Sequence, residues 1–210
     1  KNKTIVIATR LNDGQRDIFD NADTNKSKDK FKINFNNIKS GIISLDNQKW
    51  FLKVFQNNVK VIIIGAVHIA EPLINFANHL TYEVILIDPR STFNEKKFND
   101  IKIFKEWPDE ALKKIKIDRN TAIVTLTHDP KLDDPALEFS LKTKAFYIGC
   151  LGSKKTHGSR MLRLKNKGIN EEQLEKLNGP IGLNIGAKTP SEIAIAIVSQ
   201  IISFKNTANA

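Results

Sequence analysis

The chain has 210 residues, 40% of them hydrophobic, with a formal net charge of +10 at pH 7; this suffices for one sizeable core and a small appendage. It has no run of 18 apolar residues and no signal-peptide pattern at its start, so no membrane span is expected and the cytoplasm is the expected location. Of its 33 basic residues 27 are lysine, amid abundant Asn and Ile, so the charge reads as a solvated lysine surface and not as a nucleic-acid-binding face. With Met161 the only methionine, the chain is expected to be a fragment or a processed product. The single cysteine, Cys150, excludes an intrachain disulfide framework and a cysteine-rich metal site, and fits a reducing compartment.

Residues 1–57 carry short strand-like runs, TIVIAT, FKINF, GIISL and KWFLKVF, interrupted by the polar stretch DNADTNKSKDK at 20–30, which reads as a mobile loop. From residue 59 the pattern changes. VKVIIIG and EVILID are continuous apolar runs, the pattern of strands buried on both faces of a parallel sheet. Between them, apolar residues at 69, 70, 73, 74 and 77 have helical spacing, which completes a βαβ unit.

Further strands are predicted at 101–104, 121–127 and 145–149, and helices near 108–116, 134–143, 156–167, 171–177 and 190–204. The last helix has Thr189 to cap it, Pro190 at the first helical position and Glu192 to complete a capping box. The expected fold class is α/β: a Rossmann-like, open, mostly parallel sheet over residues 58–206, after a small β-rich segment at 1–57.

Ligands of such sheets bind outside the carboxyl ends of the strands. Four strand ends carry notable residues here: Gly65 to Ile69, Asp88 to Arg90, Thr127 to Asp129, and Gly149 to Lys155. GAVHIA matches a dinucleotide fingerprint at Gly65 and Ala70 but puts Val67 where a glycine lets backbone approach a pyrophosphate. Val67 is expected to obstruct that approach and to disfavour a positive φ. Asp88, 23 residues after Gly65, suits ribose hydroxyls, and Arg90 suits a phosphate.

His128 offers proton transfer or ligand contact, against the plainer reading of a loop histidine with Asp129 shaping the turn before Pro130. Gly152, Ser153 and Lys154, in GCLGSKKTHGSR, can present amides and an ammonium group to an anion, with Arg160, Arg163 and Lys167 following as a basic helical face. Cys150 reads as a packed small residue in preference to a reactive thiolate beside Lys154. Gly186, Lys188 and Thr189 lie at the last helix entry and suit a phosphate, although a capped helix alone accounts for them.

In order, IIIGAVHIAEPL, VILIDPR, THDPKLDDPAL, YIGCLGSKKT and GPIGLNIGAKTPSEIAIAI resemble the XdhC/CoxI family of xanthine dehydrogenase and carbon monoxide dehydrogenase maturation factors, over residues from about 50 to 204. The resemblance implies a molybdenum cofactor (molybdopterin) chaperone. Such a protein holds the cofactor while a cysteine desulfurase supplies its sulfido ligand, and passes it to a molybdenum hydroxylase of the xanthine dehydrogenase type without turning over a substrate itself. It also implies a homodimer. Gly65, His68, Asp88, Arg90, His128, Asp129, Gly152, Ser153, Lys154, Gly186, Lys188 and Thr189 are the cofactor-site residues to be located. The family pattern GAGH is GAVH here, with His68 retained, and a GSSPR-type segment is absent from residues 1–57. Cys150 stands where the family has a small residue. The competing readings are an NAD(P)-dependent oxidoreductase using Asp88 and His128, and a basic nucleic-acid module, which lacks interleaved aromatic residues.

Overall fold

A computed structural model of the chain describes residues 4–20, 31, 38, 40–55, 58–90, 98 and 101–207. Contacts divide the chain into a unit ending at Asn57 and a second spanning Asn58–Ala208. In the first, β1 (Ile5–Arg10), β2 (Arg16–Asp20), β3 (Gly41–Leu45) and β4 (Gln48–Phe55) form an antiparallel sheet in the order β2-β1-β4-β3. Asp46 and Asn47 both have positive φ, 49° and 59°, the backbone of a two-residue hairpin turn whose twist matches the flanking strands. Alternation then sends Val6, Ala8, Phe19, Trp50 and Leu52 to one buried face. There Phe31 stacks on Phe19 at 5.4 Å and meets Trp50 edge-on at 5.0 Å. The strand β2 was not predicted, because RDIFD has only two apolar residues; it forms because Ile7 and Val6 of β1 supply register partners for Ile18 and Phe19. Apart from Phe31, the predicted strand FKINF lies outside the described residues, as does nearly all of the 20–30 stretch.

The second unit contains β5 (Lys60–Ile64), α1 (Ala70–His79), β6 (Glu83–Ile87), β7 (Lys102–Phe104), α2 (Pro108–Lys114), β8 (Thr121–Thr125), α3 (Pro130–Ser140), β9 (Tyr147–Cys150), α4 (Lys154–Asn166), α5 (Glu171–Leu174), β10 (Leu177–Asn178) and α6 (Pro190–Thr207). Its six strands pair in parallel in the order β10-β9-β8-β5-β6-β7, the doubly wound Rossmann arrangement. Successive residues of β5 point to opposite faces. Val61 and Ile63 join α1 and α6 in one core, while Ile62 and Ile64 join α2 and α3 in the other. Burial on both faces is the physical reason why β5, β6 and β8 read as unbroken apolar runs.

Local chemistry sets the boundaries. Helix α3 begins earlier than periodicity indicates, because the Asp129 carboxylate accepts the Lys131 N–H at 2.9 Å and Pro130 occupies the first helical position. Helix α5 starts with an Asn170–Gln173 capping box and ends at Leu174, and Leu177 and Asn178 pair with β9. A two-residue strand has no periodicity to detect. At α6, Glu192 Oε2 accepts the N–H groups of Lys188 at 2.7 Å and Thr189 at 2.8 Å, and Thr189 Oγ1 accepts the Glu192 N–H at 3.3 Å. Among the described residues no helix is long and apolar enough to cross a membrane.

Candidate functional site

The chain runs β5 to β7 toward one edge and then crosses to place β8 on the other side of β5, so the switch point lies between β5 and β8. The loops after β6, β5, β8 and β9 therefore stand side by side, as the strand-end argument anticipates. Direct bonds connect them. The Gly65 N–H donates to Ile87 O at 2.9 Å, Leu126 N–H donates to Ile64 O at 2.9 Å, and Leu151 N–H donates to Thr125 O at 2.9 Å.

Gly65 is the hinge of this arrangement. Its φ is +106°, and a Cβ there would lie 2.5 Å from Thr127 Cγ2. Both its conformation and the close approach of the neighbouring loop require glycine. Two positions on, Val67 is absent from the described non-glycine residues with positive φ, and its side chain packs against the α1–α6 core. The strain anticipated at Val67 does not arise. The entry to α1 is nonetheless poor for an anion: Ile69 provides no side-chain cap, Glu71 puts a carboxylate in the first turn, and Pro72 has no N–H to offer. His68 is exposed just before this helix.

Asp88 is buried at the end of β6. Its Oδ2 accepts the Ala66 N–H at 2.7 Å and Arg90 Nη2 at 2.6 Å; its Oδ1 accepts the Arg90 N–H and Nε, both at 2.9 Å. Burial pushes this carboxyl upward, but the Arg90 guanidinium and the two amides outweigh it and hold the group below the usual carboxylate value. Asp88 thus clamps the Gly65 turn to its own loop, and a ribose would have to displace Arg90 to reach it. The Arg90 side chain is 42% exposed and faces solvent at the crevice mouth.

The other side of the switch point is tied together below the surface. Thr127 Oγ1 donates to Asp133 Oδ1 at 2.6 Å and accepts the Asp129 N–H at 3.1 Å. Between them His128 is exposed and left-handed, with φ +61°, an uncommon conformation for a residue with a side chain. Asp133 Oδ2 lies 3.5 Å from Arg160 Nη2, which also donates to Leu151 O at 3.0 Å, while Arg160 Nη1 donates to Cys150 Sγ at 3.0 Å. Asp133 and Arg160 are 1% and 2% exposed, and Arg160 Nε has no partner among the described residues. Burial raises the Asp133 carboxyl above its usual value, and Thr127 and Arg160 offset only part of that.

Cys150 is fully buried, and burial pushes its thiol up to about 11. His157 Nδ1 lies 3.8 Å from the sulfur. A buried, protonated thiol is packing and not a nucleophile, as the residue's small-residue context suggests. The basic face expected on this helix is corrected. Arg160 is internal, Arg163 makes a two-point pair with Asp134 at 2.6 and 3.0 Å, and Lys167 lies 3.5 Å from Glu138. The cue was present in the sequence: Asp133 and Asp134 sit beside Leu132, Ala136 and Leu137 on the buried stripe of one helix, and two arginines recur at i, i+3 on another.

Gly152 has φ +150°, and a Cβ there would touch Thr156 at 3.3 Å. Ser153 caps α4 by accepting the Thr156 N–H at 3.1 Å, and Lys154 is exposed in the first turn, which has no acidic residue. Gly186, Lys188 and Thr189 are exposed, with the latter two amides held by Glu192. The Ile181 N–H donates to Cys150 O at 3.0 Å, which fixes the start of that segment beside β9 but does not bring Gly186 to Thr189 into the network of crevice bonds. Among the described residues no cluster of three or more His, Cys, Asp or Glu is arranged to hold a metal ion.

The family model of the XdhC Rossmann domain matches residues 61–201. This chain belongs to the XdhC family. Its relatives place it among homologues of molybdenum cofactor chaperones and xanthine dehydrogenase maturation factors. It is 30% identical to the molybdenum cofactor insertion chaperone PaoD of Escherichia coli over 106 residues, 50% of this chain and 33% of that protein. It is 27% identical to a probable xanthine dehydrogenase subunit of Bacillus subtilis over 154 residues, 72% of this chain and 44% of that protein. The crystal structure of a xanthine dehydrogenase from Bacillus halodurans superposes with a TM-score of 0.74 at 25% identity, covering 98% of this chain and 60% of that one. The chain spans less than half the length of these curated XdhC-family relatives.

Proposed function

We propose that this chain binds molybdenum cofactor at the carboxyl end of its parallel sheet and takes part in inserting it into a xanthine dehydrogenase-type hydroxylase. The observation that carries this reading is the 30% identity to an insertion chaperone over half of the chain, beside the match of the XdhC Rossmann domain to residues 61–201. When bound, the group would supply a phosphate, dithiolene sulfurs and a polar pterin, all of which call for hydrogen-bond donors and cations.

The residues present fit those demands unevenly. The α4 entry, with Gly152, exposed Lys154 and no first-turn carboxylate, suits the phosphate better than the α1 entry with Glu71 and Pro72. Arg90, with Nε and Nη2 engaged by Asp88, presents the rest of its guanidinium at the mouth. His128 stands on the crevice wall, held out by its left-handed backbone. The same α1 entry, uncapped and carrying Glu71 and Pro72, disfavours an ordinary NAD(P) site. A molybdenum hydroxylase and a cysteine desulfurase are the partners this reading requires.

The test is a pair of anaerobic titrations, one with molybdenum cofactor and one with NADPH. Saturable cofactor binding is expected, weakened about tenfold by Lys154→Glu, the size of one lost charge-assisted contact. Binding of NADPH with no binding of the cofactor would overturn the proposal.

A further inference from the structure

The chain has two tryptophans, and their surroundings are opposite. Trp50 is 3% exposed, meets Phe31 edge-on and has the Arg10 guanidinium 5.5 Å from its ring. Trp107 is 50% exposed and has no ring or cation partner among the described residues. On the order of 100 Å² of indole is left in water. A single exposed apolar side chain is ordinary on a protein surface, but three features set this one apart.

The first is local chemistry. Trp107 is the N-cap of α2 and makes no side-chain cap bond. Asp129, Ser153 and Asn170 close the starts of α3, α4 and α5 with side-chain oxygens, the ordinary solution at such a position. Ile69, the uncapped start of α1, is half-buried and packs against the core. Trp107 breaks the same rule and gains no burial in return, which is the mark of a residue kept for function. The second feature is rigidity. Trp107 O accepts the Glu110 and Ala111 N–H groups at 3.0 Å each, and buried Pro108 holds the residue before it extended, with ψ 142°. Glu106 Oε2 accepts Lys114 Nζ at 2.5 Å on the other side. An aromatic ring on a fixed backbone has little freedom to lose on binding.

The third feature is place. Trp107 follows β7, at the carboxyl end of the parallel sheet, where ligands of this architecture sit. Phe104 O accepts the Asp88 N–H at 3.0 Å, so the loop after β7 adjoins the loop that carries Arg90. In strand order Arg90 lies between Trp107 and the switch point, and β7 is two strand spacings, about 10 Å, from β5.

We infer that the Trp107 indole is the stacking face for a flat, fused heteroaromatic ring of the pterin or nucleobase kind, whose substituent runs past Arg90 toward the switch point. Stacking needs only a π-face on the ligand, and every such ring has one. Asp109 and Glu110 follow in the first turn, so the loop offers nothing to a bare anion. Their carboxylates suit the amino and N–H edge that pterins and guanine share. Lys105, Glu106, Asp109 and Glu110 also surround the indole in sequence with charge, which leaves no apolar patch of protein-docking size.

The inference rests on the cofactor reading for which ring arrives, and not for the platform itself. Because Trp50 is buried, quenching of tryptophan emission by a ligand reports Trp107. Titration of the 210-residue chain to millimolar pterin or GMP should give saturable quenching by at least one of them, and ribose 5-phosphate, which has no ring to stack, should give none. By equilibrium dialysis, Trp107→Phe should bind the ring within a few-fold of the unmodified chain, and Trp107→Ser about 10- to 100-fold more weakly, the range of one lost stacking contact. Serine also supplies the missing cap, so the thermal midpoint of that variant should hold or rise. Quenching by pterin alone would assign the ring to a pterin and quenching by GMP alone to a nucleobase, and either sustains the platform. Quenching by neither, an affinity unchanged in Trp107→Ser, or a clear fall in its thermal midpoint would overturn it. Molybdenum cofactor binding that is equal in Trp107→Ser and the unmodified chain would sink this inference and leave the proposed function standing; ring binding at Trp107 without cofactor binding would do the reverse.

Discussion

Two carboxylates flank the switch point of the parallel sheet, and both are buried, yet their environments drive them in opposite directions. Asp88 at the β6 end accepts four hydrogen bonds, two of them from amides, and its counter-ion Arg90 reaches water. Asp133 beside the β8 end accepts from a threonine hydroxyl and sits 3.5 Å from an arginine that is itself buried. The first is held low and the second is pushed up. Burial alone therefore does not decide the charge state of a crevice carboxylate. The number of donors aimed at it decides, together with whether its counter-ion keeps its own hydration.

The largest effect should come from removing the buried counter-ion. Arg160→Met leaves Asp133 without its cation and unties Leu151 and Cys150, so a loss of about 3–5 kcal/mol is expected in denaturant unfolding. A loss below about 1 kcal/mol would mean that Asp133 is already neutral in the folded protein. Gly65→Ala tests the turn that separates the two carboxylates. The positive φ and the 2.5 Å approach to Thr127 predict a loss of about 2–3 kcal/mol, read as a fall in thermal midpoint. Asp88→Asn should cost about 2 kcal/mol at neutral pH, because the Ala66 and Arg90 donors lose a charged acceptor. Arg90→Gln should cost less, about 1 kcal/mol, since its side chain is half in water.

pH separates the two carboxylates most sharply. A carboxyl whose folded pKa lies below its unfolded value contributes stability that is complete above the unfolded value and is lost as pH falls through the folded one. Asp88 is of this kind, so the penalty of Asp88→Asn should be greatest at neutral pH and shrink in acid. For Asp133 the folded value is the higher one. Its contribution is complete below the ordinary carboxylate value and is lost as pH rises through the raised one. The penalty of Asp133→Asn should therefore be greatest in acid and smallest at neutral pH. Thermal midpoints of the two variants against pH, each referred to the unmodified chain, should diverge in opposite directions. Parallel curves would show that the two sites are electrostatically alike.

The strand ends were legible because each is marked by a local rule: Gly65 ends an apolar run, Asp88 ends the next, and Asp129 with Pro130 opens a helix. The side-chain oxygens offered there were less legible. Ser153, Asp129 and Thr189 all looked available to a ligand, and all three cap helices, since an N-cap residue has its own amides within reach before any ligand arrives. For the Arg160 network the sequence held only a cue, the two carboxylates on the buried stripe of α3; its pairing was not legible, since its members lie on β9, α3 and α4 and meet only when those elements pack.

By itself the sequence determined the alternation of strands and helices, the entry to α6 and the family, because apolar periodicity, caps and ordered motifs are local in the chain. Only the tertiary structure decided that Arg160 is internal, that Asp88 is occupied by Arg90 and Ala66, that His128 is left-handed, and that Trp107 is exposed at the carboxyl end of β7. Each of these depends on which side of an element meets which neighbour, and that is fixed by strand order and register across distances the chain's local pattern does not encode.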